Sequence, residues 1–143
     1  MATAFDKAKW HAYGNFPADL SYENAATHIG FMLSWLITRS LENPDIEMLP
    51  PEPVEEVRAR ALTGRDVLLM ECDGALTSED VGPEAEAFLS DYYTNYLADY
   101  ERLFAGAYRG AYYVEDTWVN ADLVASMLDE RFAVWRRRRG KRR

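Results

Sequence analysis

Cysteine and histidine are close to absent from this chain. A single cysteine, Cys72, rules out an internal disulfide and suits a reducing compartment. Only two histidines are present, His11 and His28, and they do not form an HExxH pair. No P-loop, GxGxxG or GxSxG stretch occurs, which removes the usual nucleotide-binding, dinucleotide-binding and serine-hydrolase signatures. The longest apolar stretch, Ile29 to Ile37, is broken by Gly30 and Ser34. It falls far short of the roughly 20 residues that span a bilayer. The opening MATAFDKAKW has no apolar run of the signal-peptide kind. These absences lead to the expectation of a soluble, cytoplasmic protein without a membrane partner.

Basic residues are scarce until the very end. Arg136, Arg137, Arg138, Arg139, Lys141, Arg142 and Arg143 supply seven of the sixteen Lys and Arg, and all twenty-four Asp and Glu lie upstream. Residues 1–135 thus carry a surplus of carboxylates, and a short basic tail (136–143) follows, expected to be flexible. An acidic body that ends in a basic peg points to a protein that meets a partner through charge.

What is abundant is apolar and aromatic side chains, 48% and 13% of 143 residues, enough to build one domain with a core. The periodicity predicts an all-α domain of about five helices over residues 1–135, with an irregular N-terminal arm anchored by Phe5, Trp10, Tyr13 and Phe16. The helix predicted over 22–41 carries two apolar stripes, which means burial on most sides and a central position. Asn43-Pro44 is expected to end it. Further helices are predicted from Val54 to Leu62, from a Thr63–Asp66 capping box to Asp73-Gly74, from Gly82-Pro83 to about Ala105, and from Asp116–Asn120 onward. The aromatic stretch Tyr108–Val114 has the composition of a strand but no evident partner.

Several blocks carry a resemblance. Trp10-His11, Phe16-Pro17-Ala18-Asp19-Leu20, Ala26-Thr27-His28-Ile29-Gly30 with Trp35, and Val114-Glu115-Asp116-Thr117-Trp118 are the most specific. Together they resemble a family of small uncharacterised bacterial proteins classed as a domain of unknown function. Its typical opening is WHYGG, from which this chain departs at Ala12 and Asn15. The resemblance implies no activity, cofactor or catalytic residue.

The residues themselves leave three functional classes open. The acidic surplus and the lack of a reactive motif favour a non-enzymatic binding protein, in its specific form an immunity-like protein that covers a basic toxin. Its expected contacts are Asp91, Tyr92, Tyr96, Asp99, Glu101, Glu115, Asp116 and Asp122, with carboxylates standing in for phosphates. No cofactor is expected on this reading, and nucleic acid would meet only the tail. The alternative is a metal-dependent or hydrolytic enzyme in which His11 and His28 join Asp19, Asp73 or Asp116 in a two-histidine, one-carboxylate site. On the structural reading of the same pair, His28 sits in a buried helix and His11 bonds a backbone carbonyl. The third class is a scaffold whose tail docks on a neighbouring copy. Cys72, flanked by Glu71 and Asp73, is expected to be a buried small residue, since negative neighbours oppose a thiolate. Gly74 would put Leu69 first in a calcium loop, so the EF-hand order fails.

Overall fold

A computed structural model describes residues 2–141. In chain order it contains strand β1 (Ala4–Lys7), helix α1 (Ala8–Ala12), a 3-10 turn (Tyr22–Ala26), α2 (Thr27–Thr38), α3 (Pro51–Arg58), α4 (Gly64–Glu71), β2 (Ala75–Thr77), α5 (Pro83–Leu103), a second 3-10 turn (Ala111–Tyr113) and α6 (Trp118–Lys141). The fold is all-α apart from two short paired strands, and no described helix is long and apolar enough to cross a membrane.

The doubly striped helix is the centre. Every residue of α2 from Thr27 to Ile37 is buried, and α3, α4, α5 and α6 all pack around it. Its first turn, expected to be α-helical from Tyr22, is 3-10 instead. It also closes earlier than Asn43-Pro44. Ser40 takes the left-handed position at φ 57°, and the Leu41 N–H returns to the Leu36 carbonyl at 2.7 Å. That is the closing bond of a Schellman turn, with serine where glycine is usual.

The other helices follow their signals. The Thr63–Asp66 capping box is present in both directions. Pro83 opens α5 in its first turn, where a missing N–H costs nothing. α3 begins at Pro51, three residues before the expected Val54, because prolines are tolerated in a first helical turn. α2 and α4 cross backbone on backbone. A Cβ on Gly64 would lie 2.0 Å from the Gly30 carbonyl oxygen, so only glycine fits at this crossing.

Three stretches differ from expectation. The N-terminal arm is not irregular throughout. β1 pairs antiparallel with β2, about 70 residues away, and α1 follows directly. Phe5 and Phe16 pack on the core, whereas Trp10 and Tyr13 are exposed. Tyr108–Val114 contains the second 3-10 turn rather than a strand. The basic tail expected from residue 136 begins inside α6, which stays helical through Lys141; Arg142 and Arg143 lie outside the described residues.

Candidate metal centre

Three elements that meet at the start of the chain assemble one cluster. β1 carries Asp6, α1 carries His11, and α2 carries His28. The strand pairing sets the first of these. Ala4 faces Thr77 and Asp6 faces Leu76, so Phe5 is an extra residue without a partner. Such a bulge re-aims the next side chain, and Asp6 is turned inward and buried. The turn from β1 straight into α1 brings His11 back over Asp6. His28 lies in the first turn of the central helix, held close to α4 because Gly30 lets the two helices touch.

The geometry is tight. His11 Nε2 lies 2.7 Å from Asp6 Oδ1, and His28 Nε2 lies 3.1 Å from Asp6 Oδ2. The two Nε2 atoms are 3.2 Å apart, with the rings edge to face. The Tyr93 hydroxyl of α5 donates to Asp6 Oδ2 at 2.8 Å, and the Lys7 N–H donates to Oδ1 at 2.9 Å. On the outer side the Tyr112 hydroxyl sits 2.6 Å from His11 Nδ1. His28 is buried and the His11 side chain is 16% exposed, so the cluster meets solvent on its His11 and Tyr112 side.

The charges are equally defined. Burial pushes the Asp6 carboxyl up, but hydrogen bonds from His11 and His28 outweigh it and hold the group well below the usual carboxylate range. Burial holds the His28 imidazole below its ordinary value, against the pull of Asp6. At neutral pH the cluster therefore holds a carboxylate and a neutral His28.

Two arrangements satisfy these groups. If both imidazoles carry a proton on Nε2, they donate side by side to the two oxygens of Asp6, at 2.7 and 3.1 Å. If His11 carries its proton on Nδ1, its bare Nε2 faces a carboxylate oxygen at 2.7 Å, and a cation between the three groups resolves the conflict, since all three then present lone pairs. The ligand atoms lie within 4.8 Å of one another. Nitrogens bound tetrahedrally to zinc at about 2.0–2.1 Å stand about 3.3 Å apart, close to the 3.2 Å seen here. His11 would then carry its proton on Nδ1 and donate it to Tyr112, the outer hydrogen bond that metal-bound histidines regularly make. Two imidazoles and one carboxylate suit zinc or iron and leave positions open for water or substrate.

The two histidines of the metal alternative thus converge, but the acid beside them is Asp6. Asp19 is exposed and pairs with Tyr113 and Arg109. Asp73 is exposed in the left-handed turn after α4. Asp116 accepts from Thr63 and pairs with Arg65 at 3.3 Å, and burial raises its carboxyl. His11 bonds Asp6 and Tyr112, not a backbone carbonyl. Sequence reasoning missed Asp6, Tyr93 and Tyr112. The available signal was weak: an acid five residues before a histidine, across a strand-to-helix junction.

The expected partner contacts differ in burial and in partners. Tyr92 and Tyr96 are buried. Asp99 is 6% exposed and bonds Tyr92, Arg102 and Arg131. Asp122 pairs with Arg60, and Asp91 accepts from the Trp135 indole. Glu101 and Glu115 are exposed, and neither makes an ion pair among the described residues. Cys72 is half-buried; burial pushes its thiol up, and Asp80 and Glu71 push it further, which disfavours the thiolate.

The family model described as Domain of unknown function (DUF7832) matches residues 4–114, and the chain belongs to that family. No curated protein and no solved structure matches it. All five groups of the cluster, from Asp6 to Tyr112, fall within the matched stretch.

Proposed function

We propose that this member of a family without an assigned activity is a metal protein that holds one zinc- or iron-class ion on Asp6, His11 and His28 and uses it to activate water for hydrolysis. The carrying observation is the 3.2 Å approach of two imidazole nitrogens over one buried carboxylate. Three protein ligands leave at least one position for water, and a zinc-bound water ionises near pH 7 (its pKa falls to about 7). Tyr93 would orient the carboxylate from within and Tyr112 the His11 ring from without, each at hydrogen-bond distance.

The test is metal analysis of protein purified without a histidine tag, before and after exposure to zinc or ferrous iron. One ion per chain is expected, lost in His11→Ala and sharply weakened in Asp6→Asn. His11 is the better probe because it is partly exposed, whereas removal of the buried His28 would open a hole in the core. A well-folded protein that takes up neither ion would end this reading. If the ion is found, chromogenic ester and phosphodiester substrates then test hydrolysis, with His11→Ala as the blank.

A second proposal, recognition of a basic protein in the manner of an immunity protein, is supported by the acidic surplus and by exposed Glu101 and Glu115. Salt-sensitive capture of a purified basic nuclease, abolished by Glu101→Lys with Glu115→Lys, would support it. Equal capture by the charge-reversed chain would remove it.

A further inference from the structure

A groove of about 610 Å³ lies elsewhere, between α5 and α6. Four arginines line it: Arg102 from α5 and Arg131, Arg138 and Arg139 from α6. Only two carboxylates, Asp91 and Asp99, oppose them there. In a chain with twenty-four acids and sixteen bases, a groove with surplus positive charge runs against the composition.

Two of the guanidiniums, those of Arg102 and Arg131, are also pre-positioned. Asp99 is buried and accepts from Arg131 Nε at 3.0 Å, from Arg131 Nη2 at 3.1 Å, from Arg102 Nη2 at 2.6 Å and from the Tyr92 hydroxyl at 2.7 Å. One inward carboxylate therefore clamps two outward guanidiniums, which keep their remaining N–H donors for a ligand. Arg139 lies over the Trp135 ring, 4.8 Å from its centre. Arg138 makes no ion pair among the described residues. Arg131 and Arg138 are seven residues apart on one face, about 10 Å along the helix. That span exceeds a single carboxylate or phosphate and fits a chain of phosphates. The volume is that of an ordinary small-molecule site.

We propose that the α5–α6 groove binds a phosphoanhydride-bearing small molecule, such as a nucleoside diphosphate, through Arg102, Arg131, Arg138 and Arg139. Ordered guanidiniums lower the entropy lost on binding, and the bidentate geometry of arginine suits phosphate oxygens. This site is separate from the metal cluster. Tyr92 serves the groove and Tyr93 serves Asp6, on different sides of α5.

Titration calorimetry of the full chain at low salt, with chelator present, tests the proposal using ADP, inorganic pyrophosphate and adenosine. ADP and pyrophosphate are expected to bind, and adenosine is not. Arg138→Ala with Arg139→Ala is expected to weaken both about 10-fold or more, as charged hydrogen bonds of this kind do. Arg137→Ala with Lys141→Ala removes two charges from the same helix end outside the groove and is expected to change affinity less than about 3-fold, by screening. His11→Ala is expected to bind as the parent does, which separates this site from the metal cluster. The proposal falls if neither phosphate probe binds, if adenosine binds as well as ADP, or if the two double variants lose affinity equally.

Discussion

Gly64→Ala puts the architecture around His28 to a direct test. The added methyl would lie 2.0 Å from the Gly30 carbonyl oxygen and 2.8 Å from both the backbone nitrogen and the Cβ of Ser34. Ordinary contact needs about 3.4 Å or more, so α2 and α4 must part by about 1 Å or tilt. Two effects compete. Alanine gains at most about 1 kcal/mol over glycine by propensity, the helix-interior value, and Gly64 is the first residue of α4. Overpacking a tight contact costs about 1–3 kcal/mol, and here the obstacle is backbone, which cannot rotate aside. The backbone obstacle puts the steric cost at the upper end of that range, about 3 kcal/mol, so it wins with a net loss of about 2 kcal/mol, or roughly 6–8 °C in Tm for a domain of this size. Urea and thermal unfolding followed by circular dichroism read the change. Gly140→Ala is the control: nothing lies within 4 Å of the added methyl, it sits in α6, and it should leave stability unchanged or slightly higher. If Gly64→Ala melts at or above the parent temperature, the helices do not cross as described, and the placement of His28 loses its support.

Other outcomes follow from the site and its surroundings. A chelator should lower the Tm of zinc-loaded protein, by about 2.7 kcal/mol of stability when free zinc had stood at 100 times Kd. It should leave His11→Ala unmoved, and differential scanning calorimetry checks both. Asp99→Asn should destabilise the fold at pH 7 by about 2 kcal/mol, since the carboxylate accepts charged hydrogen bonds from two arginines. Burial pushes the Asp99 carboxyl up, but Tyr92, Arg102 and Arg131 outweigh it and hold it below its ordinary value. Its stabilisation is therefore complete above the unfolded carboxylate range near pH 4 and fades as pH falls toward the depressed folded value. The gap between parent and Asp99→Asn in urea midpoint should accordingly narrow below about pH 4. The Cys72 thiol, raised by burial and by Asp80, should react with a disulfide reagent at pH 8 far more slowly in the folded chain than in urea. Equal rates would show that the pocket around it is open.

How much of this was legible in the sequence depends on how local each signal is. The central helix announced itself because apolar residues on two stripes of one helix leave no wet side. Thr63 and Asp66 announced a helix start because a capping box is complete within four residues. The hydroxyls of Tyr92 and Tyr93 reach Asp99 and Asp6, pairings that nothing local in the sequence marks. Asp6 was invisible for the opposite reason. Its inward turn depends on a bulge against β2, and β2 is only three residues long and lies 70 positions away. One acid among twenty-four has nothing of its own to mark it. The histidines were noticed because there are two; their partner was not, because proximity came from tertiary pairing rather than from spacing. The groove was equally hidden, since Arg102 and Arg138 meet only when α5 and α6 lie side by side.

The neighbouring phenols of α5 have a mechanical consequence. Consecutive residues on a helix point about 100° apart, so Tyr93 ties α5 across to Asp6 of β1, while Tyr92 reaches along the same helix to Asp99, which α6 grips through Arg131. A rotation of α5 as a whole would slacken the Tyr93 tie and the Arg131 grip together. The rigidity of α5 about its own axis is thus shared property of two distant chemistries.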